Sequence, residues 1–301
     1  MKRKIAFVGT GIIGSGLAVN AIMHGEDVYM YYRRNYEKLE SSVKKIFSVF
    51  VENEICSTKE AEDWFNAIHF TMDLQEAVSG AVLVQESIAE KLDMKQEMYR
   101  TIQKICGDTV IIASSTSAMF PSALSAGALY PDKIIVGHPY NPSYLLPLME
   151  VCGGETASPK TIEAVCQIYR DWEKEPVICK KEIRGFVVNR LSIAAAEAAK
   201  ECIREGVCSV EDIDKAIMYG PGMRMAVTGQ MLTLSLGIEG GLRKMAEKYG
   251  LPASEWDEVY ACGVEEEMAH RRAGTGNTEE EICRFRDHMF VEILKNQGFY
   301  K

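Results

Sequence analysis

The most informative segment near the start of the chain is Lys4-Ile-Ala-Phe-Val-Gly-Thr-Gly-Ile-Ile-Gly14. Its first half is apolar and predicts a short buried strand, and a G-x-G-x-x-G motif follows at once. The next residues predict a helix from about Ile12 to His24, and Asp27–Tyr32 predicts a second strand. Strand, glycine motif, helix and strand in this order are typical of a dinucleotide-binding unit, and this context sets the motif apart from a chance match.

Each glycine of the motif has its own task in such a unit. Gly9 permits the tight turn, Gly11 lets the backbone approach the pyrophosphate, and Gly14 allows the helix to pack closely on the strand. The helix N-terminus at Ile12 and Ile13 presents free N–H groups to the diphosphate. The alternative is a glycine-rich turn without a ligand. An ATP-type phosphate loop is disfavoured because no Gly-Lys-Ser/Thr sequence follows.

The end of the second strand predicts which dinucleotide is used. An NAD-binding unit usually carries Asp or Glu there, bonded to the ribose 2′-hydroxyl. Tyr32 occupies that position here, and Arg33 and Arg34 follow it. Because guanidinium groups hold phosphate oxygens in a bidentate manner, the sequence predicts that NADP(H) is favoured over NAD(H). In the alternative, the arginines are solvated or stack on adenine, and both cofactors are accepted.

Strands and helices alternate along the first part of the chain. Apolar runs predict strands at 68–71, 81–86, 109–113, 133–137, 148–152 and 175–179, and helical periodicity predicts helices at 35–53, 59–66, 74–78, 93–105 and 159–172. This alternation predicts an α/β fold with a doubly wound, mostly parallel sheet of the Rossmann type. From residue 185 onward we expect helices alone, at 186–205, 209–219, 225–236, 238–249, 252–270 and 278–297. The sequence therefore predicts a dinucleotide-binding domain over 1–184 and an all-helical domain over 185–301.

Composition narrows the class of protein. The 301 residues, 47% of them hydrophobic and 26% charged, fit two soluble domains with real cores. A net charge of −9 without a basic cluster argues against nucleic-acid binding. The apolar run after Lys4 breaks at Gly9, so we expect neither a signal peptide nor a membrane protein. Nine cysteines without a C-x-x-C pair predict a reduced, cytoplasmic protein without a metal site.

Two segments in the middle of the chain carry candidate chemistry. His138 lies in the proline-rich segment Gly137-His-Pro-Tyr-Asn-Pro142, and Glu150 lies in the predicted strand that follows it. Imidazole titrates near neutrality, and a carboxylate fixes its tautomer and stabilises its charged form, so the pair predicts a proton-transfer device. For this stretch alone, the alternative is a surface histidine in a connection and an exposed Glu150.

A third segment, Ser114-Ser-Thr-Ser117, follows a predicted strand at its carboxyl end. Its hydroxyls could donate to a substrate oxygen or to a nicotinamide carboxamide. They could equally be ordinary turn and capping residues.

These segments, together with the glycine motif and Gly185-Phe-Val-Val-Asn-Arg190, resemble the 3-hydroxyacyl-CoA dehydrogenase family over the whole chain. The resemblance implies that His138 and Glu150 form the catalytic pair. It also implies several binding residues and a homodimer formed through the helical domain. The implied residues are Ser117, Asn141 and Asn189 for substrate, and Glu90 and Lys95 for cofactor. Two positions depart from the family pattern, since Ser115 stands where asparagine is common and Pro139 where phenylalanine is frequent.

Within the family, Tyr144-Leu-Leu-Pro-Leu148 and Gly220-Pro-Gly-Met-Arg224 are similar to the branch that acts on free hydroxy acids, L-gulonate 3-dehydrogenase (lambda-crystallin) and carnitine 3-dehydrogenase. A carboxylate substrate needs a cation, so Arg224 is predicted to bind it, with a structural salt bridge as the alternative. Carnitine itself is not favoured, because its trimethylammonium group calls for an aromatic cage and residues 225–234 contain no ring.

The sequence thus predicts reversible hydride transfer between a nicotinamide cofactor and the hydroxyl-bearing carbon of a small 3-hydroxy acid. His138 takes the hydroxyl proton, and Ser117 and Asn189 bond the reacting oxygen. Three alternatives remain open. They are an enzyme for CoA thioesters, a non-catalytic nucleotide-binding protein of the crystallin kind, and a hydroxyacid dehydrogenase with a lysine acid, which the His–Glu pair disfavours.

Overall fold

An eight-stranded sheet forms the centre of the first part of the chain in the computed structural model, which describes residues 2–300. Its strands are β1 (Lys4–Val8), β2 (Asp27–Tyr31), β3 (His69–Thr71), β4 (Leu83–Glu86), β5 (Ile111–Ser114), β6 (Ile134–Pro139), β7 (Leu148–Gly153) and β8 (Glu175–Cys179). They lie in the order β3-β2-β1-β4-β5-β6-β7-β8, and every neighbouring pair is parallel except β6 and β7. The predicted doubly wound, mostly parallel sheet is confirmed.

The helices of this part are α1 (Ile12–Met23), α2 (Tyr36–Glu52), α3 (Thr58–Ala67), α4 (Leu74–Val78), α5 (Leu92–Cys106), α6 (Pro121–Ser125) and α7 (Pro159–Asp171). Alternate residues of β1 enter different cores, because successive side chains of a strand point to opposite faces. Ile5 and Phe7 pack with α1, α2 and α7, whereas Ala6 and Val8 pack with α4 and α5. Both faces of the sheet are therefore buried, as parallel strands require.

Helix caps explain several of the observed boundaries. The side chain of Asn35 accepts a hydrogen bond from the first turn of α2, and Ser57 and Glu60 form a capping box at the start of α3. Asp73 caps α4, as its position in the sequence predicts. The short helix α6 is absent from the predicted elements; it begins with Pro121, whose fixed φ suits a first helical turn.

From α8 (Phe186–Arg204) onward the chain is helical, as predicted. The remaining helices are α9 (Val210–Tyr219), α10 (Pro221–Thr228), α11 (Gln230–Leu236), α12 (Met245–Tyr249), α13 (Glu255–Ala269) and α14 (Glu279–Asn296). The single helix predicted at 225–236 is wrong, because Gly229 adopts a φ of +64° and separates α10 from α11. The helix predicted at 238–249 is also shortened, since Gly240 and Gly241 have positive φ and a 3₁₀ turn precedes α12.

The chain divides into two compact units, Met1–Ala194 and Ala195–Lys301. The division falls within α8, whereas the sequence placed the boundary before this helix. The second unit has a small core of its own, formed by Leu232, Ile238, Leu242, Ala261, Val264 and Ile282. Between residues 2 and 300, no helix is both long and apolar enough to span a lipid bilayer.

Candidate active site

The candidate site lies at the carboxyl edge of the sheet. In doubly wound sheets, ligands bind outside the carboxyl ends of the strands, where the strand order reverses. Here that point lies between β1 and β4, which are neighbours in the sheet although two strands separate them in sequence. Gly9 follows β1, Ser87 follows β4 and Ser115 follows β5, so these residues share one edge.

The glycine motif forms a cradle that fits a dinucleotide. A Cβ atom at Gly9 would lie 2.4 Å from the carbonyl carbon of Ser87, and one at Gly14 would lie 2.0 Å from the Gly9 oxygen. Only glycine is tolerated at these two positions. A Cβ atom at Gly11 would meet no protein atom within 4 Å, so this backbone faces open space. The three glycines thus separate into two packing positions and one approach position, as the pyrophosphate requires.

The N-terminus of α1 faces this cradle without a side-chain cap. The first backbone bond of the helix runs from Ser15 N to Gly11 O, at 2.9 Å. The amides of Ile12, Ile13 and Gly14 precede it and find no acceptor within the helix. Such free amides, with the partial positive charge of the helix end, form an anion site.

A cleft of about 710 Å³ lies beside the cradle, at the end of β2. Its lining combines a tyrosine pair, an arginine pair and apolar side chains. The lining residues are Gly9, Thr10, Tyr31, Tyr32, Arg33, Arg34, Leu74, Ile88, Met94, Glu97, Met98 and Thr101. The cleft suits the adenosine half of a dinucleotide. Arg33 and Arg34 are exposed and make no ion pair within residues 2–300.

His138 and Glu150 are direct partners in the antiparallel register of β6 and β7. His138 Nδ1 lies 2.9 Å from Glu150 Oε2, and the two residues are 6% and 1% exposed. Because an ionised carboxylate can only accept, Nδ1 carries the proton and Nε2 of the neutral ring is an acceptor. Nε2 has no hydrogen-bond partner among the described residues, so one ring nitrogen is held and the other is free.

The second oxygen of Glu150 is held by the start of α8. Oε1 accepts hydrogen bonds from the amides of Val187 at 2.7 Å and Val188 at 2.9 Å. Burial raises the pKa of Glu150, but the His138 bond and these two amides outweigh it and hold the pKa below the ordinary glutamate range. Phe186, at φ +49°, turns the chain into this helix, and its ring centroid lies 5.7 Å from that of His138.

The three predicted substrate residues follow β5, follow β6 and lie in the first turn of α8. Ser117 is exposed, three residues beyond β5, and Asn141 is exposed, two residues beyond β6. Asn189 is half-buried in the first turn of α8, directly after the two amides that hold Glu150. None of these three side chains has a hydrogen-bond partner in the part of the chain that the structure describes. They remain available to a ligand.

A second buried carboxylate, Glu86, lies at the end of β4. Its Oε1 accepts from Lys95 Nζ at 2.7 Å and from the Ile88 amide at 2.7 Å, and its Oε2 accepts from Ser114 Oγ at 2.8 Å and from the Tyr99 hydroxyl. Burial and the Glu86 charge raise the pKa of Tyr99 well above its ordinary value. All members of this group lie at the cofactor edge, but none offers a free polar atom there.

The two residues implied for the cofactor side differ in exposure. Lys95 is 1% exposed, and its Nζ pairs with Glu86 and, at 3.2 Å, with Glu90 Oε2. Glu90 has 43% of its side chain exposed and also accepts from the Thr116 hydroxyl. Of these two residues, only Glu90 therefore presents polar atoms to the solvent, and the buried Lys95 positions Glu90 through their ion pair.

Arg224 belongs to the second unit. It lies within α10, is exposed, and donates one hydrogen bond of 3.5 Å to the Thr233 carbonyl. No carboxylate of the described residues pairs with it, so the structural salt bridge that was the alternative does not form there.

Several contacts of the site escape sequence reasoning. The residue types of Val187 and Val188 give no indication that their backbone amides bind Glu150. Tyr99 fits the apolar periodicity of α5, which does not indicate a hydrogen bond to Glu86. The one available hint for the amides is Gly185, which precedes a helix and adopts a φ of +77°. Within residues 2–300, no three His, Cys, Asp or Glu side chains are grouped as a metal site would require.

The fold and the cradle define the class, a nicotinamide-dependent oxidoreductase. Family profiles agree with this class. Residues 4–183 match the profile of "3-hydroxyacyl-CoA dehydrogenase, NAD binding domain". Residues 185–280 match the profile of "3-hydroxyacyl-CoA dehydrogenase, C-terminal domain". The chain belongs to the 3-hydroxyacyl-CoA dehydrogenase family. The predicted family, fold class and enzyme class are confirmed.

Relatives span nearly the full length of the chain. An L-carnitine dehydrogenase of Bacillus cereus is 34% identical over 304 residues, which cover 97% of this chain and 92% of the relative. One of Oceanobacillus iheyensis is 33% identical and covers 97% of both chains. Among solved structures, 5-formyl-3-hydroxy-2-methylpyridine 4-carboxylic acid 5-dehydrogenase, an NAD+-dependent dismutase, is similar with a TM-score of 0.73, 27% identity and 99% of both chains covered.

Proposed function

We propose that the protein catalyses reversible, nicotinamide-dependent oxidation of a free 3-hydroxy acid, with His138 as the acid/base group. The observation that carries this proposal is the buried pair of His138 and Glu150, joined at 2.9 Å, with Nε2 of the imidazole unused. When bound, the nicotinamide cofactor accepts the hydride from the hydroxyl-bearing carbon. His138 Nε2 takes the hydroxyl proton in the same direction and returns it in reverse, a contribution of about 10²–10⁴ in rate.

Glu150 positions the imidazole and stabilises its protonated form. Its own charge is secured by the amides of Val187 and Val188, so it does not compete for the substrate proton. Ser117 and Asn189 are proposed to donate hydrogen bonds to the reacting substrate oxygen, where negative charge develops. Asn141 is proposed to line the substrate site beside them. Support comes from their uncommitted polar atoms and from their positions beside β5, β6 and the first turn of α8.

We propose that the pyrophosphate of the cofactor binds to Gly9, Gly11 and the first amides of α1. Glu90 receives ribose hydroxyls, and Lys95 positions Glu90. NADP(H) is favoured over NAD(H), because Arg33 and Arg34 carry unpaired charge at the end of β2 and Tyr32 stands where a carboxylate would select NAD.

Comparison of the two cofactors tests this preference. We expect kcat/KM with NADP(H) to exceed that with NAD(H), and the Arg33→Ser/Arg34→Ser double variant to lose about ten- to a hundredfold with NADP(H) alone, the value of a charge-assisted hydrogen bond. Arg284→Ser, which removes an exposed arginine of α14, is the control. A wild-type preference for NAD(H) would overturn the assignment.

The substrate is proposed to be a free acid rather than a CoA thioester. The L-carnitine dehydrogenase relatives support this choice, as does Arg224, whose exposed guanidinium has no carboxylate partner within residues 2–300. Arginine matches a carboxylate geometrically. Arg224→Met should therefore raise KM for the acid strongly and leave cofactor binding unchanged.

A substrate panel tests the whole proposal. L-carnitine, 3-hydroxybutyrate and 3-hydroxybutyryl-CoA are compared by kcat/KM with both cofactors. We expect at least one free acid to exceed the thioester by about tenfold or more, the effect of one well-placed ion pair. A preference for the thioester would instead support the CoA enzyme, and cofactor binding without any turnover would support a non-catalytic role. Carnitine against 3-hydroxybutyrate shows whether the trimethylammonium group is recognised.

Assembly and location complete the proposal. A homodimer is proposed through the helical part, because Phe186 is the only buried side chain of α8, and Leu191, Ile193 and Val210 are 61%, 59% and 61% exposed. Light scattering should give twice the monomer mass, and Leu191→Glu should reduce it. The nine cysteines are free, which supports the proposed cytoplasmic location.

A further inference from the structure

A chain of buried hydrogen bonds runs beneath the cofactor edge and has no part in the proton transfer. Gln85 on β4 and Tyr169 on α7 are both fully buried. The Tyr169 hydroxyl donates to Gln85 Oε1 at 2.6 Å. Gln85 Nε2 donates to Ser115 Oγ at 2.8 Å and to the Gly137 carbonyl at 3.1 Å. This chain therefore links α7, β4, β5 and β6.

The orientation of the Gln85 amide follows from its partners. The Gly137 carbonyl can only accept, so the NH₂ group of Gln85 must face it and the amide oxygen must face Tyr169. Ser115 Oγ, bonded to the same NH₂ group, is consequently an acceptor in that bond. The Ser115 hydrogen is left for another partner.

Ser87 is a hydrogen-bond partner of Ser115. Ser87 Oγ and Ser115 Oγ lie 2.8 Å apart, and either could be the donor. Two hydroxyls carry two hydrogens, and the bond between them uses one. The other has no acceptor among residues 2–300, although both serines are half-exposed at the edge of the sheet. Whichever serine donates within the pair, one hydroxyl hydrogen is therefore left for a ligand.

The position of the pair indicates which ligand it meets. Ser87 packs against the glycine turn, with its Cβ 3.6 Å from where a Gly14 Cβ would lie. The adenosine cleft lies on the β2 side of this turn. A dinucleotide with its pyrophosphate at the turn extends the opposite way, over β4 and β5, so its nicotinamide half passes Ser87 and Ser115.

We propose that the hydroxyl pair of Ser87 and Ser115, polarised from below by Gln85 and Tyr169, donates a hydrogen bond to the carboxamide oxygen of the nicotinamide. This inference rests on the proposed nicotinamide function and deepens it. The bond restricts rotation of the ring and so decides which ring face meets the substrate carbon. Ser87 and Ser115 are contact residues in this role, and Gln85 and Tyr169 are positioning residues.

Thionicotinamide analogues test the proposal, because sulfur is a weaker acceptor than oxygen. Dissociation constants of the oxidised cofactor and its thio analogue are measured by titration calorimetry. Wild-type protein should bind the ordinary cofactor about two- to tenfold more tightly, the value of one neutral hydrogen bond. The Ser87→Ala/Ser115→Ala double variant should bind both equally. Either serine can supply the outward hydrogen, so each single variant should keep the preference for the ordinary cofactor that the double variant loses.

Ser41→Ala, the same substitution at a surface serine of α2, should retain the wild-type ratio. Equal binding of the two cofactors by wild-type protein, or an unchanged ratio in the double variant, overturns the proposal, and the wild-type arm does not depend on how the variants fold. Failure of wild-type protein to bind either dinucleotide would instead reject the proposed function. The two failures are thus distinguishable.

Discussion

Glu86 and Glu150 are both buried carboxylates at the same edge of the sheet, yet their surroundings differ. Glu86 accepts from four donors, Lys95, Tyr99, Ser114 and the Ile88 amide, and the three side-chain donors are themselves buried. Glu150 accepts from two amides and from His138. The imidazole is the only donor of either group with a second, unoccupied nitrogen.

The difference separates rigidity from reactivity. A buried charge with fixed donors on every side stabilises one geometry, because all of its hydrogen bonds are made to groups that the fold holds in place. A buried charge that shares its hydrogen bonds with an imidazole can stabilise a new positive charge when a proton arrives at Nε2. Glu86 is therefore expected to control stability and Glu150 to control catalysis.

The largest expected effect is on kcat and comes from a substitution of His138. His138→Gln retains a polar side chain but removes the imidazole nitrogen that accepts and returns the substrate proton, so kcat should fall by about 10²–10⁴. Cofactor dissociation constants and the melting temperature should change little. The control is His288→Gln, which alters an exposed histidine of α14. A kcat within about threefold of wild type would remove His138 from the mechanism.

The next largest effect is on the free energy of unfolding and comes from a substitution of Lys95, the cationic partner of Glu86. Lys95→Met leaves the Glu86 charge buried without its cation, and loss of one partner of such a pair costs about 3–5 kcal/mol in the free energy of unfolding. Denaturant unfolding measures the change. Lys59→Met, which removes an exposed partner of Asp63, should have no measurable effect. If both variants unfold alike, the Glu86 group does not provide the rigidity assigned to it.

The smallest expected effect is the pH dependence of the stability that Glu150 contributes. Because the pKa of Glu150 is lowered in the folded protein, its charge stabilises the fold above the ordinary glutamate range, near about 4.3, and this stabilisation is lost as pH falls through the folded-state pKa. Glu150→Gln should cost about 1–3 kcal/mol at pH 7, and its difference from wild type should shrink below pH ~4. A difference that is constant between pH 7 and pH 3 would contradict the ionised, amide-held state of Glu150.

Much of the fold follows from local sequence. The glycine motif, the alternation of strands and helices, and the Asp73 cap of α4 depend on neighbours within a few residues, and the observed elements confirm them. The errors have local causes too. Gly229 lies within a helical pattern, and only its backbone conformation shows that the helix ends there.

The site is divided in the same way. His138, Glu150 and the exposed Ser117 are recognisable from the sequence, since their residue types and positions after predicted strands suggest chemistry. The two amides at the start of α8 and the buried Tyr169 are not. Their importance depends on partners 37, 38 and 84 residues away, at Glu150 and Gln85.

Local sequence predicts the dinucleotide cradle, most of the order of elements, and His138 and Glu150 as the candidate proton-transfer pair. The packing of the sheet places His138 opposite Glu150, turns Lys95 inward to Glu86, and brings Ser87 and Ser115 within one hydrogen bond. The physical reason is range. Backbone preferences and side-chain periodicity act over one or two helical turns, whereas strand register and burial are set by the packing of the whole sheet.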